Sequence, residues 1–505
     1  DVELVDQLED KMKLIELILT MAYEAKINYK DVFSEVRLWD TLIFNHLLKE
    51  NIHIPPRTDN VKEEKYTGAY VKSPQVGQHK WIVSFDINSL YPHLIMQYNI
   101  SPEKIIGMKS DGISVDRLLK KKTPLDYLKT EGATITPNGA MFKNDSQGFL
   151  PKLMEKMYND RVHFKQLEFQ AKQEYQKTKD PLYQKEIARC HNIQWAKKIS
   201  LNSAYGAIGN QYFRFYDVRQ ATAITSSGQF VIQYIEKQVN KYMNEILQTK
   251  DQVDYIVASD TDSIYLTLDK LVDKVCKDKT KEQKLNFVDK VATQKIEPFI
   301  EKCFKELADY TNAFDQKMVM KREVIADKGI WTAKKRYMLN VLDEEGFRYE
   351  EPKLKIMGIE AVKSSTPEVC RTGIKEAIRL IMNKDEDALQ NYIADFKVKF
   401  HKFEPEQIAF PRSCNNLRKY RSDSSIFTKG TPIHIKGSLI YNYHLQSQKL
   451  DYKYPVIQEG DKIKFILLKE PNPFKFNVCA YLSTLPREFK LDDYIDYDLQ
   501  FEKTF

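Results

Sequence analysis

Tyr255-Ile-Val-Ala-Ser-Asp-Thr-Asp-Ser-Ile-Tyr-Leu266 constrains this chain more than any other stretch. Apolar, β-branched and aromatic residues flank a compact centre, Asp260-Thr261-Asp262-Ser263, which is the pattern of two short strands joined by a tight acidic turn. A second run, Trp81-Ile-Val-Ser-Phe-Asp86, reads as another strand that delivers one carboxylate at its end. An isolated Asp-Thr-Asp is more often only a capped turn, because Asp is common in turns. Two strand-borne aspartates far apart in sequence are nevertheless what a two-metal phosphoryl-transfer site needs. The pattern points to an enzyme acting on nucleotides.

With 505 residues the chain is too long for one core, and three or four domains or subdomains are expected. The net charge of +7 is mild and suits an anionic partner only where the charge is clustered. The six cysteines form no C-x-x-C pair, which argues against zinc, and scattered thiols fit a reducing interior. No run approaches the apolar length of a membrane span, so no membrane partner is expected. No signal peptide is visible. The chain opens at Asp1 without methionine and enters helical periodicity at once over residues 2–23, as a piece of a longer protein would.

Helical patterns also cover residues 8–21 and 37–48, and Pro55-Pro56 with a charged stretch to Lys65 marks a linker. Residues 66–110 read as strands around Asp86 with a short helix at 91–98. Lys120-Lys121-Lys122 reads as a solvated face. Residues 152–177 and 182–205 read as a long helical hairpin broken at Asp180-Pro181. Ser364-Ser365-Thr366-Pro367-Glu368 has the form of a helix start, with a hydroxyl cap, a first-turn proline and an acid.

The hairpin adds cations to the carboxylates. Lys198, Asn202 and Tyr205 fall at i, i+4 and i+7 on one face of the second arm, and Arg161 and Lys165 are i, i+4 on the first. One such basic pair is usually solvated surface. Three aligned cations on facing helices can hold one triphosphate. Magnesium is a hard ion that needs only one or two carboxylates plus substrate phosphates, so Asp86 and Asp262 suffice to bridge two ions.

These residues carry a resemblance. Asp86-Ile-Asn-Ser-Leu-Tyr-Pro92, Lys198 to Gly206 and Asp260-Thr-Asp-Ser263 resemble, in order and spacing, the three polymerase motifs of family B DNA polymerases. Lys334-Lys-Arg-Tyr337 resembles their K-K-R-Y element. Gln97-Tyr-Asn-Ile-Ser-Pro-Glu103, residues 210–224 and Lys355-Ile-Met-Gly358 resemble the replicative polymerases of T4-like bacteriophages in particular. The resemblance implies an α+β, multi-domain right-hand polymerase. Its palm would be an antiparallel sheet with helices (58–150 and 211–364), its fingers a helical hairpin (151–210) and its thumb mixed α/β (365–505). Residues 1–57 would be a helical remnant of the exonuclease region.

The resemblance also assigns roles. The catalytic residues would be Asp86, Asp262, Asp260 and Lys198, with Asp86, Asp262 and the Ile87 carbonyl holding two Mg2+ (or Mn2+). Asp260, Glu323 and Lys335 would tune that site. Ser89, Leu90, Tyr91, Arg161, Lys165 and Lys198 would hold the dNTP, with Tyr91 beneath the sugar, and Asn202 and Tyr205 would line the nascent pair. Lys334, Lys335, Arg336 and Tyr337 would track the primer, and Gly68-Ala-Tyr70 would touch the template. Implied partners are primer–template DNA, dNTPs, a sliding clamp and other replisome proteins, in the cytoplasm of an infected bacterial host. His93 and Ala258-Ser259 depart from the family pattern, which bears on primer grip and fidelity. Asp1 resembles one ligand of a proofreading site whose other ligands lie elsewhere, and the clamp-binding tail is not seen after Phe505. A non-catalytic DNA-binding relative and a split polymerase active only with its partner stay open as alternatives.

Overall fold

The computed structural model describes residues 2–59, 61, 66–109, 111–250, 252–422 and 425–505, so Asp1 lies outside the described residues. The chain divides into two units. The first runs up to Gln75 and takes in His79–Ala326 and Asp343–Arg348; the second comprises Val76–Gln78, Asp327–Leu342 and Tyr349–Phe505.

The first unit is built on strands. β1 (Gly77–Ile87) carries the apolar run ending in Asp86, β2 (Ile105–Met108), β3 (Ala133–Ile135) and β4 (Ala140–Lys143) form a small sheet, and β5 (Ile256–Asp260) and β6 (Ser263–Thr267) are the two short strands read from the sequence. With the first part of β7 (Met320–Ala333) the main strands pair in the order β5-β6-β1-β7. β1 and β6 are antiparallel in the register Ile82↔Thr267 to Asp86↔Ser263. Trp81 to Phe85 are buried without a break, because the strand is covered on both faces. One cover is the helix Val218–Leu247, which packs on β5 and β6. The architecture is α+β.

The hairpin consists of Phe149–Thr178 and Pro181–Ile208, which pack against each other. The break falls at Asp180-Pro181, where the Asp180 carboxylate accepts from the Leu182 N–H at 2.9 Å and proline fills the first turn. The first arm starts earlier than the periodicity indicates, for a reason remote in sequence. The N–H groups of Gly148, Phe149 and Leu150 donate to the side chains of Asn99, Glu103 and Ser101 at 2.8, 2.8 and 3.3 Å. The Gln97–Glu103 motif is therefore a long-range cap for this arm.

The helix expected over 2–23 is two helices, Val2–Met12 and Leu14–Ala25. Lys13 is left-handed (φ 50°), and the Glu9 carboxylate receives the freed Ile15 N–H at 3.1 Å. A third helix, Glu35–Lys49, anchors the second arm: the Trp39 indole N–H donates to the Ser200 carbonyl at 3.0 Å.

In the second unit the remainder of β7 is followed in the sheet by most of β8 (Arg336–Glu344) and of β9 (Phe347–Met357), whose joining turn belongs to the first unit. A separate sheet, β10 (Phe410–Ser413), β11 (Lys462–Leu467) and β12 (Val478–Tyr481), packs with the helix Ile433–Ser447 around a core that includes Phe400, Ile466 and Tyr481. The helix expected after Thr366 begins at Glu368, but Pro367 is its N-cap and no side chain caps it. Thr366 is instead buried in a turn, its N–H donating to the Lys363 carbonyl at 3.1 Å. All six cysteines are buried and free. Among the described residues no helix is long and apolar enough to cross a membrane.

Candidate active site

Strand pairing brings the two aspartates together. Asp86 lies opposite Ser263, and the Ile87 N–H donates to the Asp262 carbonyl at 2.9 Å. Between β5 and β6 the chain reverses in the smallest space available. Thr261 is left-handed (φ 60°) and the Asp262 N–H donates back to the Asp260 carbonyl at 2.7 Å. The Gly68–Tyr70 segment braces this turn, with the Tyr70 carbonyl accepting from the Thr261 N–H at 3.0 Å.

Asp86 and Asp262 line one cavity of about 490 Å³. Ile87, Ser89, Leu90 and Tyr91 line it on the same side, and Arg161, Lys165, Lys198 and Asn202 come from the two arms. Ser89 is left-handed (φ 46°) and starts the helix Leu90–Gln97. Its hydroxyl accepts from Arg161 Nη1 at 3.3 Å, and its carbonyl accepts from His93 Nδ1 at 3.0 Å, which fixes that nitrogen as the protonated one. Burial pulls the Arg161 pKa down, and its Nε is buried without a partner. A half-buried guanidinium at the wall of a cavity is suited to an anion. Lys198 lies 4.7 Å from the Trp195 ring centroid.

Tyr91 sits 4.8 Å from Tyr205, ring to ring, and Tyr205 shares a 3.3 Å hydrogen bond with the Tyr66 hydroxyl. Burial, then the Asp262 charge, pushes the Tyr91 phenol pKa up; burial, then Tyr66, does the same for Tyr205. Gly228 faces the short helix, where an added Cβ would meet Leu90 and Tyr91 at 3.4 Å, an ordinary packing contact.

Other residues singled out by sequence are placed differently. Asp260 does not line the cavity; its carboxylate accepts from the Thr261 hydroxyl at 3.0 Å. Glu323 is on β7, 3.3 Å from the Ser84 hydroxyl of β1. Tyr205 backs the cavity through Tyr91 rather than lining it. Lys334, Lys335, Arg336 and Tyr337 belong to the second unit, at and after the β7–β8 turn. There Arg336 pairs with Glu360 at 2.5 Å and Tyr337 stacks on Trp331 at 5.5 Å. The departures His93, Ala258 and Ser259 are all buried, with His93 packed edge-on to Tyr158. Tyr158 and Glu345 line the cavity without having been singled out. Glu345-Gly346 between two strand patterns was legible as a hairpin turn, but nothing local reveals where that turn points.

The family model described as DNA polymerase family B matches residues 35–472. The DNA-directed DNA polymerase of Escherichia phage RB69 is 36% identical over the whole of this chain and 61% of that protein. That of Enterobacteria phage T4 is 33% identical with the same coverage. A DNA polymerase of Pyrococcus glycovorans is 25% identical over 71% of the chain. The chain thus spans about three-fifths of the length of the phage relatives it matches. The family model takes in both aspartate-bearing strands, both arms and most of the second unit, and the chain belongs to DNA polymerase family B.

Proposed function

We propose that the chain is the polymerase part of a template-directed DNA polymerase that adds dNTPs to a primer 3′-hydroxyl, with pyrophosphate leaving. One observation carries this reading: Asp86 and Asp262 share a cavity with Arg161, Lys165 and Lys198. The palm would comprise 58–150 and 211–364, the fingers 151–210 and the thumb 365–505, after a helical region over 1–57.

The donor set fits divalent metal. Among the described residues no three His, Cys, Asp or Glu side chains cluster to hold an ion alone. Two carboxylates with the Ile87 carbonyl and substrate phosphates match what Mg2+ requires, and Mn2+ accepts the same oxygen donors. Two bound ions would supply a more acidic attacking hydroxyl and charge compensation at the leaving group.

The protein's own contribution is positioning and electrostatics. Arg161, Lys165 and Lys198 hold the triphosphate, with Ser89 and Leu90 along it. Tyr91 supports the sugar and excludes a 2′-hydroxyl, Asn202 faces the nascent pair, and Tyr205 acts on that pair through Tyr91. Asp260 and Glu323 shape the carboxylate surroundings. Lys334, Lys335, Arg336 and Tyr337 serve the primer backbone, and Gly68 to Tyr70 the template. Phosphate contacts of this kind give affinity without sequence preference, as copying requires. A sliding clamp and other replisome proteins are the proposed partners, in an infected bacterial host.

Primer extension by the purified chain with Mg2+ tests the reading, with template-matched extension as the expected result. A second reading is a polymerase competent only when joined to a further part. Extension appearing only on mixing with a separately produced exonuclease part would select that reading. Primer–template binding without extension in either format would overturn the enzyme reading in favour of a non-catalytic relative.

A further inference from the structure

The turn between β8 and β9 breaks a local rule. Glu345 and Gly346 form a two-residue hairpin loop with φ of +50° and +91°. Positive φ at both loop positions is the type I′ geometry, which favours Asn, Asp or Gly at the first position. Glutamate lacks the short polar side chain that makes left-handed backbone tolerable.

The turn is nevertheless held firmly. The Glu345 N–H donates to the Glu323 carbonyl at 2.7 Å, and the Gly346 N–H donates to the Asp343 carboxylate at 2.9 Å. Asp343 is buried and pairs with Arg322, which reaches Asp289 at 3.1 Å, while Arg348 lies 3.4 Å from Asp343. Burying ions is costly unless they are paired, and here the paired charges of Asp343, Arg322 and Asp289 fix the turn that carries Glu345. Glu345 lines the same cavity as Asp86 and the three cations of the arms.

We propose that Glu345 is an electrostatic gate for polyphosphate. Its fixed negative charge opposes Arg161, Lys165 and Lys198, weakening the hold on dNTP and on departing pyrophosphate. The inference rests on the nucleotide reading of this cavity. A cavity of this volume is on the order of 10 Å across, comparable with a Debye length of about 8 Å at physiological salt, so the charges act on one another. A multiply charged polyphosphate feels Glu345 more than a single DNA phosphate does.

Two substitutions separate charge from backbone. Glu345→Asn suits a left-handed turn and removes the charge; Glu345→Asp tolerates the turn and keeps it. The readouts are KM for dNTP against kcat in primer extension, and the inhibition constant of inorganic pyrophosphate, at low and high salt. For Asn, both KM and the inhibition constant should fall about fivefold at low salt, with less change at high salt. Asp should resemble wild type. Equal shifts for Asn and Asp would mean backbone strain alone, and unchanged or weaker binding in Asn would mean no opposing charge; either overturns the gate. If none of the three proteins extends a primer, the polymerase reading has failed instead. Direct binding of inorganic pyrophosphate to the same proteins then decides the gate, with Asn expected to bind more tightly than the other two.

Discussion

The N–H of Ile87 donates to the carbonyl of Asp262 at 2.9 Å, so the residue after one aspartate is bonded to the backbone of the other. The antiparallel register Asp86↔Ser263 leaves no slack, because a one-residue slip would turn Asp86 to the opposite face. The convergence of the two carboxylates is a property of strand pairing, and side-chain substitution at either position leaves the backbone bonds in place.

Asp262→Asn is therefore expected to fold normally and to lose primer extension by more than about a hundredfold, beyond what changes in a metal's outer surroundings cost. Primer–template affinity should stay within about threefold, since phosphate contacts dominate it. Extension near the wild-type rate would remove Asp262 from the proposed metal site.

Tyr91→Ala tests the sugar pocket. The ring packs 4.8 Å from that of Tyr205, and its loss opens space beneath the nucleotide. Discrimination of dNTP over rNTP should drop by about tenfold or more, as a shape-based filter relaxes. A stability loss of roughly 2–3 kcal/mol should accompany it. Unchanged discrimination with that stability loss would make Tyr91 a packing residue only.

What could be read from sequence was what repeats locally. The Asp180-Pro181 break and the strand pair around Asp260 to Ser263 rest on turn chemistry and alternation, which need no tertiary context. Lys13 resisted such reading, because its left-handed break interrupts an otherwise continuous helical pattern. So did the cap on the first arm: Asn99, Ser101 and Glu103 act on N–H groups well along the chain. Glu345 was hidden for the same reason, since its turn is local but the cavity it lines is assembled by long-range pairing. Lys198 and Asn202 reached the cavity as helix periodicity indicated, while Tyr205 serves it at one remove.

His93 ties folding to pH. Burial holds its imidazole pKa below the ordinary 6.5, against the Ser89 carbonyl bond that raises it, with Lys317 and Arg161 adding to the depression. The unfolded chain therefore binds a proton that the folded chain resists. The stability contributed by neutral His93 is complete above about pH 6.5 and is lost as pH falls toward the folded pKa. His46, His434 and His444 are depressed in the same direction, chiefly by burial. Denaturant unfolding at neutral and mildly acidic pH should show a smaller acid loss for His93→Gln than for wild type. An identical loss would place the acid sensitivity on the other three.

Gly358→Ala tests the second unit through the backbone. Gly358 has φ +68°, and a Cβ there would lie 2.1 Å from the Lys335 carbonyl oxygen. That oxygen belongs to a residue itself left-handed at the β7–β8 turn (φ 61°), so it cannot swing aside as a side chain would. Gly460 supplies the control, with φ +90° and nothing within 4 Å of its added Cβ. Gly460→Ala should cost about 1 kcal/mol, the backbone preference alone. Gly358→Ala should cost about 2–4 kcal/mol, with a Tm lower by roughly 5–10 °C in thermal unfolding. It should also weaken primer–template binding, because Lys334 to Tyr337 sit on the displaced turn. Equal costs for the two substitutions would mean that the Lys335 turn yields freely, and that the close approach at Gly358 does not hold those cations in position.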